Sequence, residues 1–200
     1  MSNRSETPEP TDAARRRAVL AAAERLLKHY GFAKTTVADI AREAGVSVGA
    51  VYLAFESKEA LAAALSRRCH DEVLEALRGC AVRPASHAER VKALFEERAR
   101  RLASLRQAGQ HGVELYACAC DAVRRVHAEA HAEQAAVLAS LLREGTSAGE
   151  LDVADPERVA RVLITAHEAF GDGADDERAA DRRAFEELAV RAVRAARPGR

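Results

Sequence analysis

The chain has no tryptophan, and aromatic residues make up only 4% of its 200 residues. Single-stranded nucleic acids and RNA loops are gripped by stacking bases on aromatic faces, so the platform such a binder needs is missing. No apolar run approaches the roughly 20 residues that a membrane-spanning helix requires. The opening stretch MSNRSETPEPTDAARRR has no apolar core and does not read as a secretion signal. No Cys-x-x-Cys pair occurs among the cysteines at 69, 80, 118 and 120, which argues against a zinc ribbon and for reduced thiols. Net charge is absent too, with 31 Lys and Arg against 31 Asp and Glu, so a bulk nucleic-acid coat is excluded. There is no nucleophile elbow, no phosphate-cradling glycine loop, no metalloprotease motif and no internal repeat. These absences predict a soluble cytoplasmic protein that is not an enzyme, carries no cofactor and makes no membrane contact.

What is present is alanine. Hydrophobic residues reach 48%, and alanine, the best helix former, dominates them. The composition predicts an all-α fold. Residues 1–11, with Pro8 and Pro10, read as a disordered arm. A helix follows over about Ala13–Tyr30, ended by Gly31. Ser57 caps a long helix to about Arg78, and the capping box Ser86–Glu89 opens another to about Gln107. Gly109 and Gly112 mark a break before a helical region from about Val113 to Leu142, with a possible interruption near Cys120. Asp155 caps a helix with Pro156 at its first position, running to about Phe170. The last helix is expected near Asp181–Ala196, with Phe185, Leu188, Ala189, Ala192 and Val193 on one face.

The most specific stretch runs from Thr35 to Leu61. Thr36 can cap a short helix, Val37–Ala44, whose Val37, Ile40, Ala41 and Ala44 recur at helical spacing. Gly45 supplies the left-handed turn, and Ser47 caps a second helix, Val48–Ala54. Val51 and Phe55 point inward. Val48, Gly49, Ala50, Tyr52 and Leu53 are left outward, where a recognition helix meets the major groove. Residues 13–60 hold eight Lys and Arg against five Asp and Glu, and Arg15, Arg16, Arg17, Lys28, Lys34 and Lys58 are the candidate phosphate contacts.

Thr36, Ile40–Ala41, Ala44–Ser47, Gly49, Val51–Tyr52, Phe55, Ser57–Glu59 and Leu61 resemble, in order and spacing, the N-terminal domain of the tetracycline-repressor family. The chain departs at Ala54, where that family often carries His or an aromatic residue. The resemblance implies a three-helix helix-turn-helix head over 12–57 and a helical effector-binding and dimerisation bundle over 58–200. It also implies the function: a ligand-responsive transcriptional regulator, a homodimeric repressor released from a palindromic double-stranded operator by a small molecule. The expected DNA contacts are Thr36, Ser47, Val48, Gly49, Ala50, Tyr52, Leu53 and Lys58. Dimerisation is expected through the last two helices, with Val159, Leu163, Ala166, Leu188, Ala192 and Val193 as candidates. The effector pocket is expected between the helix after Ser57 and those beyond Pro84, lined by Phe95, Leu102, Leu105, His111, Leu115, Tyr116, His167 and Phe170.

An alternative stays open. His127 and His131 lie four residues apart, share a helix face and could chelate one metal ion, which would make the protein a metal-responsive regulator. His111, Glu114 and Cys118 form a second stripe. A helical interaction protein without operator specificity is a further alternative.

Overall fold

The computed structural model describes residues 11–107, 109, 111–117, 119–170 and 176–194. Nine helices are found among them: α1 (Asp12–Lys34), α2 (Val37–Ala44), α3 (Val48–Ala54), α4 (Lys58–Ala81), α5 (His87–Gln107), α6 (Gly112–Ala117), α7 (Asp121–Ser147), α8 (Pro156–Ala169) and α9 (Asp176–Val193). The all-α expectation holds. The only sheet-like pairing among the described residues is an isolated bridge between Leu151 and Arg194. No described helix is long and apolar enough to cross a membrane. Except for Thr11, the expected N-terminal arm lies outside the described residues.

Local chemistry fixes most helix starts. The hydroxyls of Thr11, Thr36, Ser47 and Ser57 accept from the amides of Ala14, Asp39, Ala50 and Ala60, and Asp155 accepts from Arg158. Each satisfies an amide that the first helical turn leaves without a partner. Gly45 adopts φ +68°, where residues with a side chain are strained, and returns its amide to the carbonyls of Ala41 and Arg42.

Several boundaries differ from expectation: α7 runs on to Ser147, α9 spans Asp176–Val193, and two inner breaks differ in form. Gly31 breaks α1 with φ +80°, but the chain resumes a further turn to Lys34. That turn is pinned from two sides: the Thr35 hydroxyl donates to the Gly31 carbonyl, and the Lys58 ammonium donates to the carbonyls of Phe32 and Thr35. The interruption near Cys120 is a full break, with Cys120 extended at the start of α7.

The buried side chains form two clusters. In the head, Val19, Ala23 and Leu27 of α1 meet Ile40 of α2, Val51 of α3, and Leu61 and Leu65 of α4. In the second, Val73 and Leu77 of α4 pack with Leu94 and Phe95 of α5, Leu138 and Leu142 of α7, Ile164 of α8 and Val190 of α9. The helix α4 serves both, so the expected boundary at 57/58 falls just before two turns that belong to the head core. The helix α6 is divided as well: Leu115 packs into the head cluster while its neighbour Tyr116 packs into the other.

The seat of α6 is tight. A Cβ on Gly112 would lie 2.0 Å from the Leu105 carbonyl oxygen. Because backbone rather than a flexible side chain blocks it, Gly112→Ala is expected to destabilise the protein by about 2–4 kcal/mol. Urea unfolding checks this, and a change under about 0.5 kcal/mol would show that α6 is not held against α5 as described.

Candidate functional site

The outer face of the head is built by α3. Val51 and Phe55 anchor it inward at 2% and 5% exposure, which turns Val48, Gly49, Tyr52 and Leu53 to solvent. Leu53 is 83% exposed and Tyr52 52%, values that the fold of the chain itself gives no reason for. Ala50 is half-buried. Thr36 and Ser47 are both exposed at helix starts, but differently equipped. At Thr36 the carboxylate of Asp39 already takes the backbone amide and the hydroxyl proton. These two bonds from Thr36 hold the Asp39 carboxyl below its usual range. A carboxylate therefore already stands where a phosphate would dock.

The cations separate into two groups. Among the described residues Arg17 and Lys34 are exposed without an ionic partner. Arg15 pairs with Asp12, and Arg16 donates to the Ala54 carbonyl while its guanidinium lies 4.0 Å from the centre of the Phe55 ring. Lys28 pairs with Glu24 at 2.6 Å, and its backbone carbonyl accepts from the His111 amide, so it lies at the joint with α6. The ammonium of Lys58 is spent on two carbonyls and lies 4.1 Å above the Phe32 ring, so it braces the corner between α1 and α2 before it offers charge to DNA.

The second site is buried. Arg98 has no exposed surface, yet it sits on the apolar face of α5. Its Nε donates to Gln134 Oε1 at 2.9 Å, its Nη1 to His167 Nδ1 at 2.7 Å, and its Nη2 to His131 Nε2 at 2.9 Å and Glu168 Oε2 at 2.6 Å. A guanidinium only donates, so His167 Nδ1 must be an acceptor, while His131 Nε2 lies against both Arg98 Nη2 and Glu168 Oε2. His167 therefore carries its proton on Nε2 and donates it to Glu186 Oε1 at 3.1 Å. Next to this core, His127 Nε2 lies 3.1 Å from Glu168 Oε1. His70 Nε2 is shared between the Tyr116 carbonyl at 3.2 Å and His127 Nδ1 at 3.4 Å. The Tyr116 hydroxyl and the Gln134 amide nitrogen face each other without completing a hydrogen bond of ordinary geometry.

Burial sets the protonation states. It pushes His70 down to about 3, with the neighbouring His127 adding to the shift. It also pushes His167 down, outweighing the pull of Glu186, and pushes the Tyr116 hydroxyl up to about 12. For Glu168 burial acts upward, but hydrogen bonds from His127 and His131 and the Arg98 charge hold its carboxyl far below the ordinary range.

Of the expected pocket residues, Phe95, Leu102, Tyr116 and His167 do meet in this core, with Phe95 stacked 5.2 Å from His167. Leu105 is partly buried against the same core, and Phe170 packs on Phe185 at 5.1 Å. Leu115 and His111 do not join them. Leu115 belongs to the head, and His111 bonds Glu114 and lies against Gly31. Cys118 lies outside the described residues. The pocket was expected between α4 and the helices beyond Pro84; the groove the structure opens lies between two of those later helices, α7 and α8, with no α4 residue in its lining. That groove has about 360 Å³, lined by Ala128, His131, Ala132 and Ala135 on one wall and by Ile164 and Thr165 on the other. Arg98, Gln134 and Glu168 were not foreseen. One signal existed: Arg98 stands in the series Val91, Leu94, Phe95, Leu102, a charge at an apolar stripe position.

Residues 19–65 match the sequence family described as bacterial regulatory proteins, tetR family. The head of the chain is thus similar to the DNA-binding domain of that family. No curated protein matches it. Among solved structures, a chain from Shewanella sp. PV-4 assigned to the tetR family is 25% identical, with a TM-score of 0.65 and coverage of 91% of this chain and 99% of that one. A TetR/AcrR-family regulator from Thermobifida fusca YX-ER1 is 24% identical, with a TM-score of 0.69 and coverage of 88% and 96%. The regulator FadR from Bacillus subtilis, solved in complex with stearoyl-CoA, shares the fold at 21% identity, a TM-score of 0.68 and coverage of 88% and 98%. The head thus carries the exposed α3 face, and the buried polar site lies in the helical half behind it.

The buried histidines give this protein a pH signature. An unfolded His70 takes up a proton below about pH 6.5, whereas the folded one, at about 3, does not. Stability is therefore lost as pH falls. Between pH 7.5 and 5.5 His70 alone should account for about 1.4 kcal/mol. Urea unfolding at both pH values checks this, and His70→Asn should flatten the slope by that amount. An unchanged slope would mean His70 is protonated in the fold.

Proposed function

We propose that this protein is an effector-responsive transcriptional repressor of the tetR family that binds a palindromic operator as a homodimer. The observation that carries this reading is α4, one unbroken helix that contributes Leu61 and Leu65 to the head core and Val73 and Leu77 to the core of the helical half. Movement in the helical half is thereby delivered to the head. The short α6 offers a second route, since the Ser66 hydroxyl and His70 of α4 both engage the carbonyl of Tyr116, whose neighbour Leu115 is seated in the head.

In a dimer, two α3 faces reach successive major grooves about 34–36 Å apart. Val48 and Leu53 offer apolar contacts suited to thymine methyl groups, and Tyr52, Arg17 and Lys34 reach phosphates. An effector that prefers a different arrangement of the helices around Arg98 shifts the population away from that spacing. The stearoyl-CoA complex of the Bacillus subtilis regulator supports a ligand site in this fold. Val162 and Leu188, 57% and 66% exposed, are unexplained by the single chain and favour a two-fold contact through α8 and α9. Val193 does not take part, being 3% exposed in the chain's own core, while Val159 and Leu163 are partly buried against that core.

Two measurements test the reading. In gel shifts on the DNA upstream of its own gene, Arg17→Ala should weaken binding and lower the slope of log affinity against log salt by about one. Tyr52→Phe should weaken binding with the ring kept in place. Failure of the wild type to shift this DNA over random DNA would favour a helical interaction protein without operator specificity. In sizing experiments Leu188→Glu should yield monomers that no longer bind operator, and a surviving dimer would move the interface elsewhere.

A further inference from the structure

We propose that His127, His131 and Glu168 bind one divalent transition-metal ion, with a coordination position left open toward the groove between α7 and α8. The two histidines are one turn apart on α7, and Glu168 faces them from the last turn of α8. Two imidazole nitrogens and a carboxylate oxygen lie within 4.8 Å of one another. One ion at the usual ligand distances of about 2.0–2.2 Å can touch all three. The donors come from two helices that the groove separates, and all three are partly buried, with side chains 20%, 18% and 32% exposed.

The donor set selects the ion. Two neutral imidazoles and one carboxylate suit Zn²⁺, Ni²⁺ or Co²⁺. Calcium and magnesium need more oxygens, and among the described residues no thiolate joins the cluster to favour Cu⁺. Three protein ligands leave a fourth position vacant, as in sites that bind water or an exogenous molecule. His131 is also a wall residue of the groove, so the vacant position is reached from solvent.

Arg98 orients the carboxylate ligand. Its Nη2 donates to Glu168 Oε2 at 2.6 Å and leaves Oε1, 3.1 Å from His127 Nε2, for the ion. His131 Nε2 contacts the same Oε2 and lies 2.9 Å from that Nη2. An ion takes the place of the proton this nitrogen directs at the carboxylate, and Arg98 keeps Glu168, Gln134 and His167. The site does not depend on operator binding, so its failure and the failure of the regulatory reading are separable.

The test uses untagged full-length protein stripped with a chelator, titrated with Co²⁺ and then displaced with Zn²⁺. The visible ligand-field band of Co²⁺ and the metal content after gel filtration are read, with circular dichroism confirming the fold of each variant. One ion per chain is expected. The band should be lost in His127→Ala/His131→Ala and the affinity should fall at least tenfold in Glu168→Gln, with His111→Ala unchanged. Should the double variant not fold, the single His131→Gln, which keeps the side-chain bulk, must show the loss. Sub-stoichiometric binding, or binding that survives these changes, overturns the proposal. So does binding that His111→Ala abolishes.

Discussion

A fully buried guanidinium organises the helical half of this protein. Isolating such a charge from water costs several kcal/mol, and the penalty is offset only when a counter-charge and hydrogen bonds meet it in good geometry. Arg98 of α5 is met by Gln134 and His131 of α7 and by His167 and Glu168 of α8. Because the guanidinium is planar and its donors point in fixed directions, these partners can satisfy it in few relative positions of the three helices. Through His167 the constraint passes to Glu186, and so to α9, where Arg182 supplies a second counter-charge. Apolar packing around Phe95, Leu138 and Ile164 holds the helices together, and the Arg98 contacts specify how they sit.

The head depends on the same physics in a milder form. Lys58, the first residue of α4, donates to two carbonyls at the corner between α1 and α2. It fixes the start of the helix that then runs into the second core. The two charged side chains, Lys58 and Arg98, thus bracket the path from the α3 face to the buried polar site. Neither is free to act simply as a surface cation.

Much of the head was legible in the sequence because its determinants are short-range. Thr36, Gly45, Ser47 and Phe55 act on residues within four positions, and the bounds of α2 and α3 follow from them. The fates of Lys28, Leu115, Val193 and Glu168 depend instead on which helix faces meet, and no local pattern states that. Arg98 lies in the run Glu96–Arg101, where five of six residues are charged and helical phase alone separates the inward arginine from its neighbours. The metal-spacing pair His127 and His131 was visible, but their partner Glu168 comes from 37 positions beyond His131. Leu115 and Tyr116 parted company because α6 lies across the joint between the two cores.

Arg98 and Glu168 form an energetically coupled pair that orients the helical half. A double-mutant cycle tests it most directly, with Arg98→Met, Glu168→Met and the combined change compared by urea unfolding at neutral pH. Each single change leaves an unpaired buried or half-buried charge and should cost about 3–5 kcal/mol, while the double should recover a large part of that loss. Additive losses, with no coupling beyond about 0.5 kcal/mol, would contradict the claim and reduce Arg98 to one packing residue among many.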